Sequence, residues 1–352
     1  MITLTQEAIR QRLEEEEYLI LADEATKARA SKGRAIFEEE CPIRTVYQRD
    51  RDRILHSKSF RRLAYKTQVF AEQRSDHDRT RLTHSLEVSQ VSRTIAKALR
   101  LNSNLVEAIS LGHDIGHTPW GHSGETALNI VYKEYDKDAS FHHAVQSHRI
   151  AVELEKDGDG LNLTYEVLDG ILNHSKGSND WISGANKSHT LEGQVVSLAD
   201  RIAYSSHDID DAIRKGLLNI NDFPPNIIKV LGDKHSSRLS NMINDVIYES
   251  SDLKQITMSQ EMTDITNELK NFMYGHLYLT KSIAPQMRIY IEDVIKYLFH
   301  YYMANPVEIS KTAAEADLKH RARLVTDFIA GMTDSFAENK YEEIKDRLCK
   351  MS

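Results

Sequence analysis

The fifteen residues from Leu111 to Glu125 read LGHDIGHTPWGHSGE and hold three histidines, one aspartate and one glutamate, punctuated by four glycines. His113 and Asp114 are adjacent, so a neutral imidazole and a hard carboxylate can meet one cation. Mixed nitrogen and oxygen ligation suits Mn, Fe, Zn or Mg and does not choose among them. Two ligands do not make a tight site, so the elements around this stretch must bring up others.

The segment Asn104 to Ile115 reads as a helix. Asn104 is placed to cap it, Glu107 to complete a capping box, and Gly116 to break it. That puts His113 and Asp114 on the last turn, where side chains leave the core. A second helix is predicted over Thr83–Leu99. His84, Val88, Val91 and Ile95 share one of its faces, and His84 precedes the His-Asp pair by 29 residues. The turn Asn102–Asn104 joins the two helices into an antiparallel hairpin. A long helix over Leu191–Leu217 carries Asp200, Tyr204 and Asp208 four residues apart, as a polar stripe beside Val195, Leu198 and Ile202. An aspartate amid SLADRIAY is costly to bury without a partner.

Further helices are expected over residues 1 to about 40 (charged, ending before Cys41-Pro42), Asp50–Tyr65, Phe141–Lys156 and Thr164–His174. Lys66–Phe70 reads as short and partly β-like, and Lys176–His189 as a loop. Residues 222–352 read as amphipathic helices without a metal-like cluster. The organisation expected is an N-terminal helical segment (1–48), a core (49–221) and a C-terminal helical region (222–352), with Phe223-Pro224-Pro225-Asn226 at the last boundary.

Composition agrees with an all-α class: 352 residues with only 15 Gly and 6 Pro, and long stretches with apolar residues three and four apart. No apolar run reaches membrane-span length and no signal peptide is visible, so a cytoplasmic protein is expected. Cys41 and Cys349 show no disulfide or metal spacing, in keeping with a reducing compartment. The net charge of −8 argues against a dedicated nucleic-acid binder. Between Arg49 and Arg81, ten Lys/Arg stand against five Asp/Glu, a local basic patch that suits a small polyanion.

The order His84, His113-Asp114, Asp200 resembles the HD-domain phosphohydrolases, all-helical enzymes in which these side chains hold a divalent metal. The blocks RDRILHSKSFRRLAYKTQVF, RTRLTHSLEVSQ, HDIGHTPWGHSGE, FHHAVQSHRI, LADRIAYSSHDIDDA and DFIAGMTD resemble, in order, those of the deoxyguanosine-triphosphate triphosphohydrolase family, which also has a vertebrate relative with SAM and HD domains. The resemblance implies an HD-domain helical core and hydrolysis of a dNTP at the α-phosphorus to deoxynucleoside and tripolyphosphate. It implies His84, His113, Asp114 and Asp200 as ligands of one divalent ion, with Mn, Mg, Fe, Zn and Ni not distinguished. His122 and Glu125 match the catalytic pair. His117, Arg81 and Arg201 match phosphate contacts, His143 a histidine lining the site, Tyr204 and Asp208 a sugar-side pair, and Gln68 a contact to the 3′-hydroxyl. Gln68, Val69 and Asp208 are expected near the 2′ carbon. Thr118, Trp120 and Ala144 depart from the more usual proline, phenylalanine and asparagine, which bears on base preference and pocket shape.

A carboxylate behind an imidazole fixes its tautomer and raises its basicity. His122 can therefore activate water or protonate the departing 5′-oxygen. Relatives form tetramers or hexamers, so a homo-oligomer is implied, with a nucleotide effector as a further partner. Two other readings of the residues stay open: another HD phosphohydrolase acting on monophosphates, cyclic nucleotides or guanosine tetraphosphate, and a nucleotide-sensing or single-strand nucleic-acid-binding protein.

Overall fold

The computed structural model describes residues 6–68, 77–175, 187–278 and 285–350. Val69, Phe70 and most of the expected 176–189 loop lie outside the described residues. The rest is all-α: α1 (Gln6–Ile20), α2 (Val46–Leu55), α3 (Lys58–Arg62), α4 (Arg81–Ala98), α5 (Ser103–Gly112), α6 (Gly121–Tyr135), α7 (His143–Arg149), α8 (Tyr165–Asn173), α9 (Leu191–Arg214), α10 (Pro225–Leu231), α11 (His235–Glu249), α12 (Gln260–Met273), α13 (Pro285–Ala304), α14 (Lys311–Glu315), α15 (Leu318–Ala330) and α16 (Asp334–Cys349). Among the described residues the only β-type pairings are two isolated bridges, Arg34 with Thr164 and Thr67 with Thr80. No helix among them is long and apolar enough to cross a membrane.

The hairpin of α4 and α5 is the scaffold. Thr80 caps α4 in a box with Thr83, and Val88, Val91 and Ile95 are buried on the face that also carries His84. The cap of α5 is Asn102, not Asn104: its side chain accepts from the Asn104 and Leu105 amides. Glu107 has no part in it and pairs instead with Arg51 and Arg93. The α9 helix runs across the hairpin, burying Val195, Val196, Ala199 and Ile202.

Close approach of α5 and α8 rests on two reciprocal glycine contacts. A Cβ on Gly112 would lie 2.5 Å from Ile171 Cδ1, and one on Gly170 would lie 2.4 Å from Ile109 Cδ1. A side chain at either point would have to displace an isoleucine, and the approach brings together the chain just beyond each helix, where His113 and His174 stand.

Two expected helices are interrupted. The 50–65 stretch breaks at Ser57, whose side chain accepts from the Phe60 amide and starts α3. The N-terminal helix ends at Ile20. Beyond it, buried carboxylates hold irregular backbone in place of helical hydrogen bonds. Glu192 accepts from Thr26 N and Oγ1, Glu17 from Ala28 N, and Glu166 from Lys32 N. The 141–156 stretch is also shortened, with α7 passing into a π-turn over Ile150–Leu154.

The apolar residues form two cores that join pieces of all three proposed segments. One runs from Ala25 to Leu277 and includes α10–α12. The other combines Trp120, Leu128, Val131 and Phe141 with residues of α13, α15 and α16. The C-terminal helices therefore hold α6 in place. Asp334, fully buried at the start of α16, accepts from Trp120 N (3.0 Å), Thr67 N (3.0 Å) and Thr67 Oγ1 (2.6 Å). Lys66 Nζ donates to the carbonyls of His117 and Ala330.

Burial pushes the Lys66 amine down to about 7, against the opposing pull of Asp334. Between that value and the ordinary 10.5 the unfolded chain binds the extra proton. The contribution of Lys66 to stability therefore rises as pH rises through this window and falls as pH drops toward 7. Measured by urea unfolding, the stability difference between wild type and Lys66→Met should shift by roughly 2–3 kcal/mol from pH 7.5 to 9.5 in favour of wild type. A difference independent of pH would contradict the neutral amine.

Candidate active site

Three helices converge at the His-Asp pair. His84 lies in the first turn of α4, His113 caps the C-terminus of α5, Asp114 follows it, and Asp200 projects from the middle of α9. His84 Nε2 stands 3.0 Å from Asp200 Oδ1, and His113 Nε2 stands 3.9 Å from the same oxygen and 4.0 Å from Asp114 Oδ2. Ligand atoms bound to one ion at about 2.0–2.2 Å stand roughly 3–4 Å apart, so these separations suit a shared cation.

The protonation states agree. Burial pushes His84 below its usual range, although Asp200 pulls the other way. Burial would raise Asp200, but the hydrogen bond and charge of His84 hold it well below the carboxylate range. Asp114 is held down against burial by Arg81 and the surrounding histidines. His113 donates its Nδ1 proton to the Ser110 carbonyl at 2.7 Å, leaving Nε2 as the lone-pair nitrogen. A backbone carbonyl behind the ring in this way is the support that metal-ligating histidines adopt. His84 Nδ1 and His113 Nε2 are buried without a hydrogen-bond partner, an expense that a bound cation would remove at His113. The four residues fit a divalent metal.

Beside this group lies a second one, made of His117, His122, Glu125 and His143. Gly116 lets the chain pass against α7. A Cβ there would lie 2.1 Å from Ser147 N, and Gly116 N donates instead to Ser147 Oγ at 2.9 Å. The His117 ring stacks on His143 (4.7 Å between centroids) and meets His122 edge-on (5.0 Å). Both ring nitrogens of His117 are buried and unpartnered, and burial followed by the charge of Arg81 holds the ring well below its usual pKa.

Trp120 enters α6 with left-handed backbone (φ 55°, ψ 28°), a costly conformation for a bulky residue, where Asp334 grips its amide. The α6 helix then presents His122 and Glu125 on one face. His122 Nδ1 donates to Glu125 Oε2 at 2.8 Å. Glu125 also accepts from His143 N (2.8 Å) and His143 Nδ1 (3.0 Å). Burial would raise the Glu125 carboxyl, but His143 and His122 hold it well below its ordinary value. The His122 side chain is 78% exposed, whereas that of Glu125 is 13% exposed. The pair thus presents an accessible imidazole on a buried, ionised support.

The remaining expected residues flank these groups. Arg81 donates to Asp114 Oδ2 at 2.6 Å and leaves Nε buried without a partner. Gln68 has a buried, unpartnered Oε1, and its carbonyl faces Arg81 Nη2 at 3.5 Å. Arg201 and Asp208 are buried, and Tyr204 is partly buried. Burial raises the Tyr204 phenol, which therefore stays protonated. Asp208 lies 3.2 Å from His207 Nε2, and Glu87 lies 2.7 Å from His207 Nδ1. Against burial, Asp208 and Glu87 raise His207 to about 9. Sequence reasoning left out His207, Lys66, Asp334 and His174. The last is buried 4.9 Å from the His113 ring, and the Asn-His-Ser at its helix end was the signal available.

The HD domain family matches residues 81–205, and the phosphohydrolase-associated domain matches residues 256–343. A deoxyguanosinetriphosphate triphosphohydrolase-like protein of Caldanaerobacter subterraneus is 50% identical over 337 residues, covering 96% of this chain and 95% of that one. Proteins of the same description from Desulfatibacillum aliphaticivorans and Clostridium tetani are each 44% identical, covering 96% and 94% of this chain and 97% and 94% of theirs. With the HD domain spanning the ligand-bearing helices and such likeness running the length of both chains, this protein belongs to the deoxyguanosinetriphosphate triphosphohydrolase-like family of HD-domain phosphohydrolases.

Proposed function

We propose that the protein hydrolyses deoxynucleoside triphosphates at the α-phosphorus, releasing deoxynucleoside and tripolyphosphate. The observation that carries this reading is the adjacency of a buried His/Asp cation centre to an exposed histidine backed by an ionised glutamate. The ligands would be His84, His113, Asp114 and Asp200. When bound, the cation supplies electrophilic polarisation of the phosphate.

The chain's own residues do the rest. His117, with both ring nitrogens unpartnered, and Arg81, with a free Nε, offer donors to phosphate oxygens. Arg201 adds a second guanidinium on the α9 side. The Nδ1 proton of His122 stays on the ring, hydrogen-bonded to Glu125, so its Nε2 can take a proton from water or, once protonated, give one to the departing 5′-oxygen. His143 orients Glu125 from behind. On the sugar side, Gln68 Oε1 accepts from the 3′-hydroxyl, with Tyr204 and Asp208 across from it. A tight contact at the 2′ carbon would leave a ribose hydroxyl neither room nor partner.

Chromatography of products after incubation with dGTP and Mn²⁺ tests the reaction. Tripolyphosphate is expected, and orthophosphate or a monophosphate would replace this reading with another HD phosphohydrolase activity. For the sugar, kcat/KM for GTP should fall about 10²-fold below that for dGTP, the scale of discrimination against an added hydroxyl. Dideoxy-GTP should also be poorer, because its missing hydroxyl leaves the Gln68 acceptor unpaired. Gln68→Leu should narrow the gap between dGTP and dideoxy-GTP. Equal turnover of GTP and dGTP by wild type would defeat the sugar pocket.

A further inference from the structure

Asp334 opens α16, inside the stretch that matches the phosphohydrolase-associated domain and outside the HD domain. Its carboxylate serves other parts of the chain. Thr333 caps α16 by accepting from the Phe336 amide. Asp334 Oδ2 instead takes the amide and hydroxyl of Thr67, and Oδ1 takes the amide of Trp120. Thr67 directly precedes Gln68, assigned above to the 3′-hydroxyl, and Trp120 stands two residues before His122. One buried side chain therefore grips the backbone beside both. A carboxylate without exposed surface is costly unless donors surround it, and three do so here.

The stretch Lys66–Gln68 belongs to no helix. Thr67 makes an isolated bridge with Thr80, and the Lys66 carbonyl accepts from the Arg81 amide at 3.1 Å. The Gln68 carbonyl meets Gly121, where a Cβ would lie 3.1 Å from that oxygen and 2.8 Å from Arg81 Nη2. Gln68 is thus fitted between Arg81 and the turn that starts α6, while Asp334 holds residues 67 and 120 on one carboxylate. Lys66 repeats the link one residue earlier, donating to the carbonyls of His117 and of Ala330 in α15. Gln68 Oε1 is buried without a partner. Its aim depends on the backbone that these ties fix.

We propose that Asp334 is a positioning residue for sugar selectivity: by tying Thr67 to Trp120 it holds the Gln68 acceptor where a 3′-hydroxyl meets it. The phosphohydrolase-associated region then acts on the reaction from outside the HD domain. This rests on the reading of Gln68 given above and adds the residue that makes Gln68 effective.

The test measures kcat/KM for dGTP and dideoxy-GTP, with bound metal counted alongside, on full-length wild type, Asp334→Asn, Thr67→Val and Thr67→Ser. Asparagine keeps one acceptor oxygen but turns an N–H₂ toward a donor, and valine removes the hydroxyl. Each should cut the preference for dGTP over dideoxy-GTP by roughly 3- to 10-fold, the worth of one net hydrogen bond. The loss should fall on dGTP and leave dideoxy-GTP nearly unchanged. Thr67→Ser restores the hydroxyl and should keep the wild-type preference, with metal content constant throughout. In a Gln68→Leu background, Thr67→Val should no longer alter the preference, since the contact it serves is gone. Equal losses on both substrates, with the preference intact, would make the tie merely structural and overturn the inference while leaving the Gln68 contact standing. No preference in wild type would overturn that contact and this inference with it. Where Asp334→Asn fails to fold, the two Thr67 variants decide.

Discussion

Asp114→Asn is expected to yield a folded chain that retains almost no divalent cation after gel filtration and loses turnover by on the order of 10³-fold or more, because several kcal/mol of transition-state charge stabilisation leave with the ion. Asp114 is the sharpest point of attack because it groups with both His84 and His113. It is also 3% exposed, and Arg81 holds its carboxyl well below the usual range against burial, so its negative charge is available to a cation at neutral pH. Asparagine preserves the shape and an acceptor oxygen for the Arg81 guanidinium. The fold therefore escapes most of the cost of about 3–5 kcal/mol that follows outright removal of one partner of a buried pair. Circular dichroism and the gel-filtration volume separate loss of metal from loss of fold. A folded variant with full metal content would remove Asp114 from the ligand set.

His84, the His113-Asp114 pair and Asp200 were legible as candidates partly from local patterning and partly from the family resemblance. His84 shares a helical face with Val88, Val91 and Ile95, and an adjacent His-Asp pair at a helix end is a compact signal; both survive in the structure as buried faces and a C-cap. The His122–Glu125 pair, three residues apart after a glycine turn, came from the family resemblance, and the fold joins the two by a hydrogen bond on α6. The long α9 with its Asp200 stripe followed from spacing as well. What escaped depends on distant contacts. His174 reaches the centre only because Gly112 and Gly170 let α5 and α8 come together against Ile171 and Ile109, and no window of sequence shows that those two glycines face each other's helix. Asp334 acts on Trp120 and Thr67 across 214 and 267 residues. Lys66 is one basic residue within a basic run, and only the fold distinguishes it by burying it between two carbonyls. The irregular stretch after α1 misled because its charged composition suits a helix. Its backbone is satisfied instead by glutamates from α1, α8 and α9, a tertiary solution that overrides propensity.

His122→Ala should bind metal and dGTP nearly as wild type does and lose kcat by about 10²–10⁴-fold, the usual contribution of a positioned acid–base group. The structure separates this residue from its supports with unusual clarity. The His122 side chain is 78% exposed and its one side-chain hydrogen bond goes to Glu125, so its removal leaves no cavity and should change stability by no more than about 0.5 kcal/mol. Glu125 is a different case. It holds the amide and the ring of His143 as well as His122, so Glu125→Gln should lower kcat and also loosen α7, visible as a fall in Tm. Since the two act as one unit, the double variant should be scarcely slower than the worse single variant, because removing the second member of a broken relay costs little more. Multiplicative losses in the double variant would mean that His122 and Glu125 contribute independently. Wild-type kcat in His122→Ala would reduce the pair to a structural contact and send the search for the proton-transfer group to His117, whose ring nitrogens are buried without hydrogen-bond partners and whose ring stacks on His143 and meets His122 edge-on.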